Sequence, residues 1–238
     1  VTVSARLTRE EQTSVPAPQT QLHKALKQHY ASDTGETEVR VGDYVVDVLK
    51  DGCIYEIQTA NLGALRQKLM ALSRKHPVCL VCPIPAVRVI TRPSIDGETL
   101  AARRSPKKGS YVDAFNELVH LTGVLPGRRL TLELLLVRER QLRVDNGLGS
   151  WRRKGVSIVE RQLVEILDSR RLSKLEDYRA LLPSCPEEPF TSRQLAECSG
   201  IPVGLARKAL YFLSRSGGLV PVRRTREGIW YQQKAEVT

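Results

Sequence analysis

From residue 37 to residue 59 apolar and polar side chains alternate, "TEVRV", then "YVVDVL", then "CIYEIQT". A period of two is that of a half-buried strand. The runs are separated by Gly42-Asp43 and Asp51-Gly52, pairs suited to two-residue hairpin turns, so the stretch predicts a three-stranded meander. Before it, "QLHKALKQHYA" places Leu22, Ala25, Leu26 and His29 on one helical face. After it, "NLGALRQKLMALSRKH" carries Leu62, Leu65, Leu69 and Leu72 on one stripe, and "VCLVCPI" is a continuous apolar run. A strand, a helix and a further strand of these lengths imply a parallel crossover, giving the order αβββαβ.

The rest of the chain divides less cleanly. Residues 86–92, "AVRVITR", read as another strand, and 93–110 as a basic loop. "YVDAFNELVHL" predicts a helix and "LTLELLLVRERQLRV" a long strand. The composition of "DNGLGSWRRKG", 145–155, suggests a linker, and "VSIVERQLVEILDS" and "LEDYRALL" after it read as amphipathic helices. Thr191 caps a further helix, Ser199-Gly200 turns into a second one over 202–215, and a hairpin turns at Arg226-Glu227-Gly228. Helix, tight turn, helix and β-wing describe a winged helix-turn-helix. The expected organisation is a flexible arm over 1–19, an α/β domain over 20–148, and a helical linker with a winged helix over 149–238.

The hairpin turns fix a register. Asp51-Gly52 sets Lys50 against Cys53, Leu49 against Ile54, Val48 against Tyr55 and Asp47 against Glu56. Gly42-Asp43 sets Val41 against Tyr44 and Glu38 against Asp47. Val46, Val48, Tyr55 and Ile57 then form one apolar face, and Glu38, Asp47 and Glu56 line up on the other. Like charges facing each other across a ladder are destabilising. A divalent cation with oxygen ligands would reverse that repulsion; Mg²⁺, which takes one or two carboxylates with substrate phosphate oxygens, suits the row.

Charge points the same way. The chain carries 37 Lys and Arg against 26 Asp and Glu, a formal +11, which favours polyanionic partners. No apolar run approaches the roughly 20 residues that cross a bilayer, and the beginning lacks the apolar centre of a signal peptide, so a cytoplasmic protein with no membrane partner is expected. Five cysteines do not suggest a disulfide framework. Cys79 and Cys82, three apart on a strand, point to opposite faces and cannot share a metal. There is no Gly-rich phosphate loop and no nucleophile elbow.

Asp47, then Glu56-Ile57-Gln58, on successive strands of an αβββαβ unit, resembles the PD-(D/E)xK nuclease superfamily, whose restriction-endonuclease-like fold is a mixed sheet flanked by helices. The match covers about residues 20–90, and the joining of this fold to a winged helix also resembles bacterial proteins of unassigned function. The resemblance implies a Mg²⁺-dependent (or Mn²⁺-dependent) endodeoxyribonuclease acting in repair, recombination or defence, with Asp47 and Glu56 as metal ligands and Glu38 as an auxiliary acid. Gln58 stands where the superfamily usually has lysine, and its amide offers neutral hydrogen bonds only. Lys68, at the edge of the crossover-helix stripe, is the candidate replacement cation.

In the winged helix, Arg207, Lys208 and Tyr211 face outward and the wing offers Arg223, Arg224 and Arg226. Lys107 and Lys108 add to the expected contacts with duplex or branched DNA. A homodimer and a protein partner in a larger DNA-processing complex are both compatible with this organisation. The alternative reading, to which Gln58 points, is a non-catalytic DNA-binding regulator or adaptor on a degenerate nuclease fold.

Overall fold

The computed structural model describes residues 20–93, 100–149, 151, 154–183 and 186–233; the arm expected over 1–19 lies outside them. Helix α1, Gln21–Ala31, starts at Thr20, whose side chain accepts from the His23 N–H. Strands β1 (Glu36–Val41), β2 (Tyr44–Lys50) and β3 (Cys53–Ile57) form the meander, α2 (Arg66–Leu72) follows a 3-10 turn, and β4 spans Val78–Pro93. Asp51 and Gly52 both take positive φ, 50° and 73°, which a two-residue type I′ turn demands.

The element order α1-β1-β2-β3-α2-β4 is the one the hydrophobic pattern predicts. The chain is a mixed α/β protein built on a seven-stranded sheet in which β6 (Leu130–Asp145) and β7 (Val156–Leu172) extend the order to β1-β2-β3-β4-β6-β7, with β5 (Leu100–Arg104) paired to the outer half of β4. β3–β4 and β4–β6 are parallel and the other pairs antiparallel. One face packs against α1 through Leu22, Leu26, Val48, Ile57, Cys79 and Val81. The opposite face packs Ile54, Leu69, Leu80, Cys82 and Leu132 into a core that continues to Phe212. Cys79 and Cys82 thus lie in different cores, as alternation along a strand requires.

Two elements depart from the reading of the sequence. Residues 100–104 of the expected basic loop are β5. Residues 156–169, expected to be helical, belong to the strand β7 (Val156–Leu172), antiparallel to β6 (Leu130–Asp145). The 145–155 stretch chosen as a linker is therefore the connection between these two strands, and the sheet runs on to Leu172. The helical look of β7 has a physical origin in three register shifts, which leave Leu167, Val164 and Val159 without partners on β6. Those bulged residues are all exposed, at 38%, 49% and 58%. A β-bulge resets the alternation each time, so the apolar spacing drifts from two toward three and four.

β4 has an unusual middle. The backbone of Val81 accepts from Gln58 N–H and that of Pro85 from Gly109 N–H, so odd-numbered residues there point away from β6. β3 ends at Ile57 and β5 pairs only from Val89 onward. Pro83 and Pro85 occupy the gap, where a missing N–H deprives no partner strand.

Beyond β7 come α4 (Leu175–Arg179), β8 (Phe190–Thr191), α5 (Ser192–Ser199), α6 (Val203–Arg215), β9 (Leu219–Thr225) and β10 (Gly228–Gln233). Thr191 and Gln194 form a reciprocal capping box at α5, and Gly200 ends that helix in the left-handed conformation. β8, β10 and β9 make a second sheet of three strands. Helix α6 packs against α3 (Phe115–Leu118) through Phe212 and Phe115, whose rings are 5.8 Å apart.

Candidate functional site

The strands keep the predicted register around the acids but are distorted at the acids themselves. The predicted pairs Val41–Tyr44, Val48–Tyr55, Leu49–Ile54 and Lys50–Cys53 are present, but neither Glu38–Asp47 nor Asp47–Glu56 is among the paired positions. Glu38 takes φ 58°, a left-handed conformation costly for a side-chain-bearing residue, which interrupts regular pairing there while Thr37–Val48 and Val39–Val46 on either side keep the register. Val46 and Val48, two apart on one strand, consequently join different cores, and the expected single apolar face is broken at Asp47. Like-charge opposition is met by local distortion and by basic side chains of the neighbouring helices, Lys27 reaching both Glu38 and Asp47.

Basic side chains of α1 and α2 reach all three acids, Lys27 serving both Glu38 and Asp47. His23 and Lys27 lie one turn apart on α1, so they reach β2 together. His23 Nε2 is 3.3 Å from Asp47 Oδ2, and Lys27 Nζ is 3.9 Å from Asp47 Oδ1 and 2.7 Å from Glu38 Oε1. Asp47 Oδ2 also accepts from the Ile57 N–H at 2.9 Å. Burial works to raise the Asp47 carboxyl, but the hydrogen bonds from His23 and Ile57 and the charges of His23 and Lys27 outweigh it and hold it below the usual carboxylate range.

Glu56 is held differently. It is 2% exposed, and Lys68 of α2 donates to its Oε2 at 2.6 Å while also donating to the Val45 carbonyl at 2.6 Å. Its Oε1 is buried with no hydrogen-bond partner. Burial pushes the Glu56 carboxyl up, Lys68 offsets part of that, and the Asp47 charge adds to the rise. Lys68 therefore is the cation beside Glu56, as its place on the crossover helix suggests. Gln58 turns away: its amide donates to the Ala60 carbonyl at 2.6 Å, and the residue lines a neighbouring cavity bordered by neither Asp47 nor Glu56.

These donors fit a shared magnesium ion poorly. Among the described residues no group of three or more His, Cys, Asp or Glu is placed to hold a metal. The cations that compensate Asp47 and Glu56 come from α1 and α2, which pack into different cores.

The cavity, ≈ 270 Å³, opens where β4 lacks a neighbour. Its walls include Leu62, Ile84, Leu118 and Leu134, with Gln58, Asn116, Arg88 and Lys107 as polar lining. Gly109 closes one side, and a Cβ there would lie 2.7 Å from the Pro85 carbonyl oxygen, so glycine is required for the approach.

The expected DNA-contacting residues divide. Arg207, Tyr211, Arg224 and Arg226 are exposed, as are Lys107 and Lys108, and Arg223 is exposed with its guanidinium 3.9 Å from the Trp230 ring centre. Lys208 instead faces α3, where it donates to Asn116 Oδ1 at 2.9 Å. The sequence reading missed His23 and Lys27, whose spacing beside Leu22 and Leu26 placed a lysine on the buried side of α1. It also missed Glu133 and Glu139, buried acids of β6 paired with Arg171 and with Arg88 and Arg161.

A mixed sheet flanked by helices, with acids and bases paired across it, is the class of protein the fold defines. The model of the family described as "Domain of unknown function (DUF8091)" matches residues 20–173, from the cap of α1 to the end of β7, and the chain belongs to that family. It is also 33% identical over 204 residues to an uncharacterized protein of Treponema pallidum (strain Nichols), covering 85% of this chain and 80% of that one. No solved structure matches the chain.

Proposed function

We propose that the protein is a non-catalytic DNA-binding regulator or adaptor, in which a nuclease-like sheet serves as scaffold and a C-terminal winged helix supplies the main contact with duplex DNA. The observation that supports the absence of catalysis is the engagement of the acids by bases of the chain: Lys27 on Glu38 at 2.7 Å and 3.9 Å from Asp47, Lys68 on Glu56 at 2.6 Å and His23 on Asp47 at 3.3 Å. A magnesium ion would have to displace these bases, and Gln58 brings no charge to replace them. The order α4-β8-α5-α6-β9-β10 supports a winged helix, and the exposed Arg207, Arg224 and Arg226 support a phosphate-contacting role for it.

A second reading, a metal-dependent endodeoxyribonuclease, is favoured by one observation: Glu56 keeps a buried oxygen without a partner beside Lys68. One experiment separates the two. Fluorescence anisotropy with a duplex should give retention that weakens as salt rises, and combined Arg223→Ala, Arg224→Ala and Arg226→Ala should reduce the salt slope by about 2–3. Plasmid and branched DNA incubated with Mg²⁺ or Mn²⁺ should stay intact. Cleavage by the parent that disappears in Asp47→Ala and Glu56→Ala would establish the nuclease instead, and lack of retention at low salt would remove DNA from both readings.

A further inference from the structure

We propose that the cavity on the flank of β4 is a nucleotide pocket, taking a nucleobase between its apolar walls and the attached phosphate on Lys107. At ≈ 270 Å³ it lies just below the roughly 300 Å³ at which small-molecule sites begin, which suits one ring system rather than an extended ligand. Its position, beyond the carboxyl end of β3 at the edge of parallel strands, is where open α/β sheets place ligands.

The lining selects the chemistry. Leu62, Ile84, Leu118 and Leu134 offer apolar surface suited to the faces of a ring, and the carbonyl oxygen of the Gln58 amide, whose nitrogen is held by Ala60, presents an acceptor for its polar edge. Two carboxylates also border the space, but both are engaged: Asp113 Oδ2 accepts from the Ser110 N–H at 2.8 Å and Glu117 Oε2 from the Leu62 N–H at 3.1 Å. These bonds hold the wall in place through one oxygen of each carboxylate, and the second oxygen of each is an acceptor for the amino edge of a base. Arg88 is committed to Glu139 through its Nε. The Lys107 ammonium makes no hydrogen bond or ion pair among the described residues, and it is exposed. Exposed Arg103, Arg104 and Lys108 lie close to it in sequence, on β5 and the loop after it. An apolar slot with acceptors along one edge and the Lys107 ammonium at its rim fits a base that carries both amino hydrogens and a phosphate.

The nucleotide can arrive free or as a base extruded from a strand, and the test has an arm for each. Calorimetry with the full chain would use nucleoside 5′-monophosphates, the parent nucleosides and inorganic phosphate as probes; a duplex carrying 2-aminopurine would report extrusion by increased fluorescence. A free ligand predicts that at least one monophosphate binds in the calorimeter, whereas a strand-borne base predicts a fluorescence rise in the duplex. Lys107→Ala should weaken the phosphorylated probe or the modified duplex by about tenfold, equivalent to one charge-assisted contact, and leave any nucleoside binding unchanged. Ala114→Leu, which projects new side-chain volume into the space, should abolish both signals. If that variant fails to fold, the exposed Lys107 substitution decides. Absence of both signals, equal binding of inorganic phosphate alone, or indifference to Lys107→Ala would overturn the proposal. The wing variant distinguishes it from the DNA-binding reading, since loss of duplex retention there should leave monophosphate binding intact.

Discussion

Two buried glutamates, Glu56 on β3 and Glu139 on β6, are both almost wholly removed from solvent, at 2% and 0% exposed, yet the molecule treats them differently. Glu139 has both oxygens engaged: Oε1 by Arg88 and by Gln141 Nε2 at 2.6 Å, Oε2 by Arg161 Nε at 3.1 Å and Nη2 at 2.8 Å. Glu56 has a single lysine on one oxygen and nothing on the other. A buried charge is tolerable when its lone pairs are filled, and costly when they are not. The comparison marks Glu139 as a fixed strut between β4, β6 and β7, and Glu56 as the acid with capacity left over.

The sharpest way to break this contrast is Glu139→Ala, which strands two guanidiniums in the sheet and should cost about 3–5 kcal/mol in urea unfolding. Lys68→Met should cost about 2–3 kcal/mol at neutral pH, because it leaves the Glu56 carboxylate buried and uncompensated. Most of that loss should return as the pH is lowered and Glu56 takes up a proton; a deficit equal at every pH would mean that Lys68 acts by packing alone. Glu56→Gln should change stability by less than about 1 kcal/mol, since the amide retains an acceptor for Lys68 without the charge.

The pH dependence separates Glu56 from its neighbour Asp47. The folded Asp47 carboxyl lies below its usual value of 3.8, so its stabilisation is present above that value and is lost as pH falls through the lower folded one. Glu56 runs oppositely: its folded carboxyl lies above 4.5, so the stability it confers is present below 4.5 and is lost as pH rises through the folded value. Asp47→Asn should therefore flatten the acid limb of a stability–pH curve, and Glu56→Gln should remove a loss at higher pH. These slopes are the smallest effects expected, and thermal melts across the acid range would measure them.

Much of the architecture was legible because turn chemistry is local. Asp51-Gly52 determined three strand pairs near it, and the leucine stripe from Leu62 to Leu72 announced the crossover between β3 and β4. The fate of the acids was not legible, because pairing patterns assume an undistorted ladder, and Glu38 and Asp47 abandon theirs. Lys68 could be placed near Glu56 from the helix face it occupies, whereas His23 and Lys27 were hidden in a segment chosen for its leucines. β7 was misread for a related reason: exposed Val159, Val164 and Leu167 imitate one face of a helix, although each is a residue squeezed out of a strand. Lys208 illustrates the remaining limit, since its partner Asn116 lies ninety-two positions away in sequence.

Pro83 and Pro85 do more than end a pairing. An unpaired flank in a large sheet ordinarily invites a strand from a neighbouring molecule to zip onto it, the first step toward aggregation. Here Pro83 and Pro85 carry no hydrogen to donate and the Pro85 carbonyl is already taken by the Gly109 N–H, so an incoming chain would find no donor to pair with at either. The opening is thereby denied to backbone and remains accessible to something smaller.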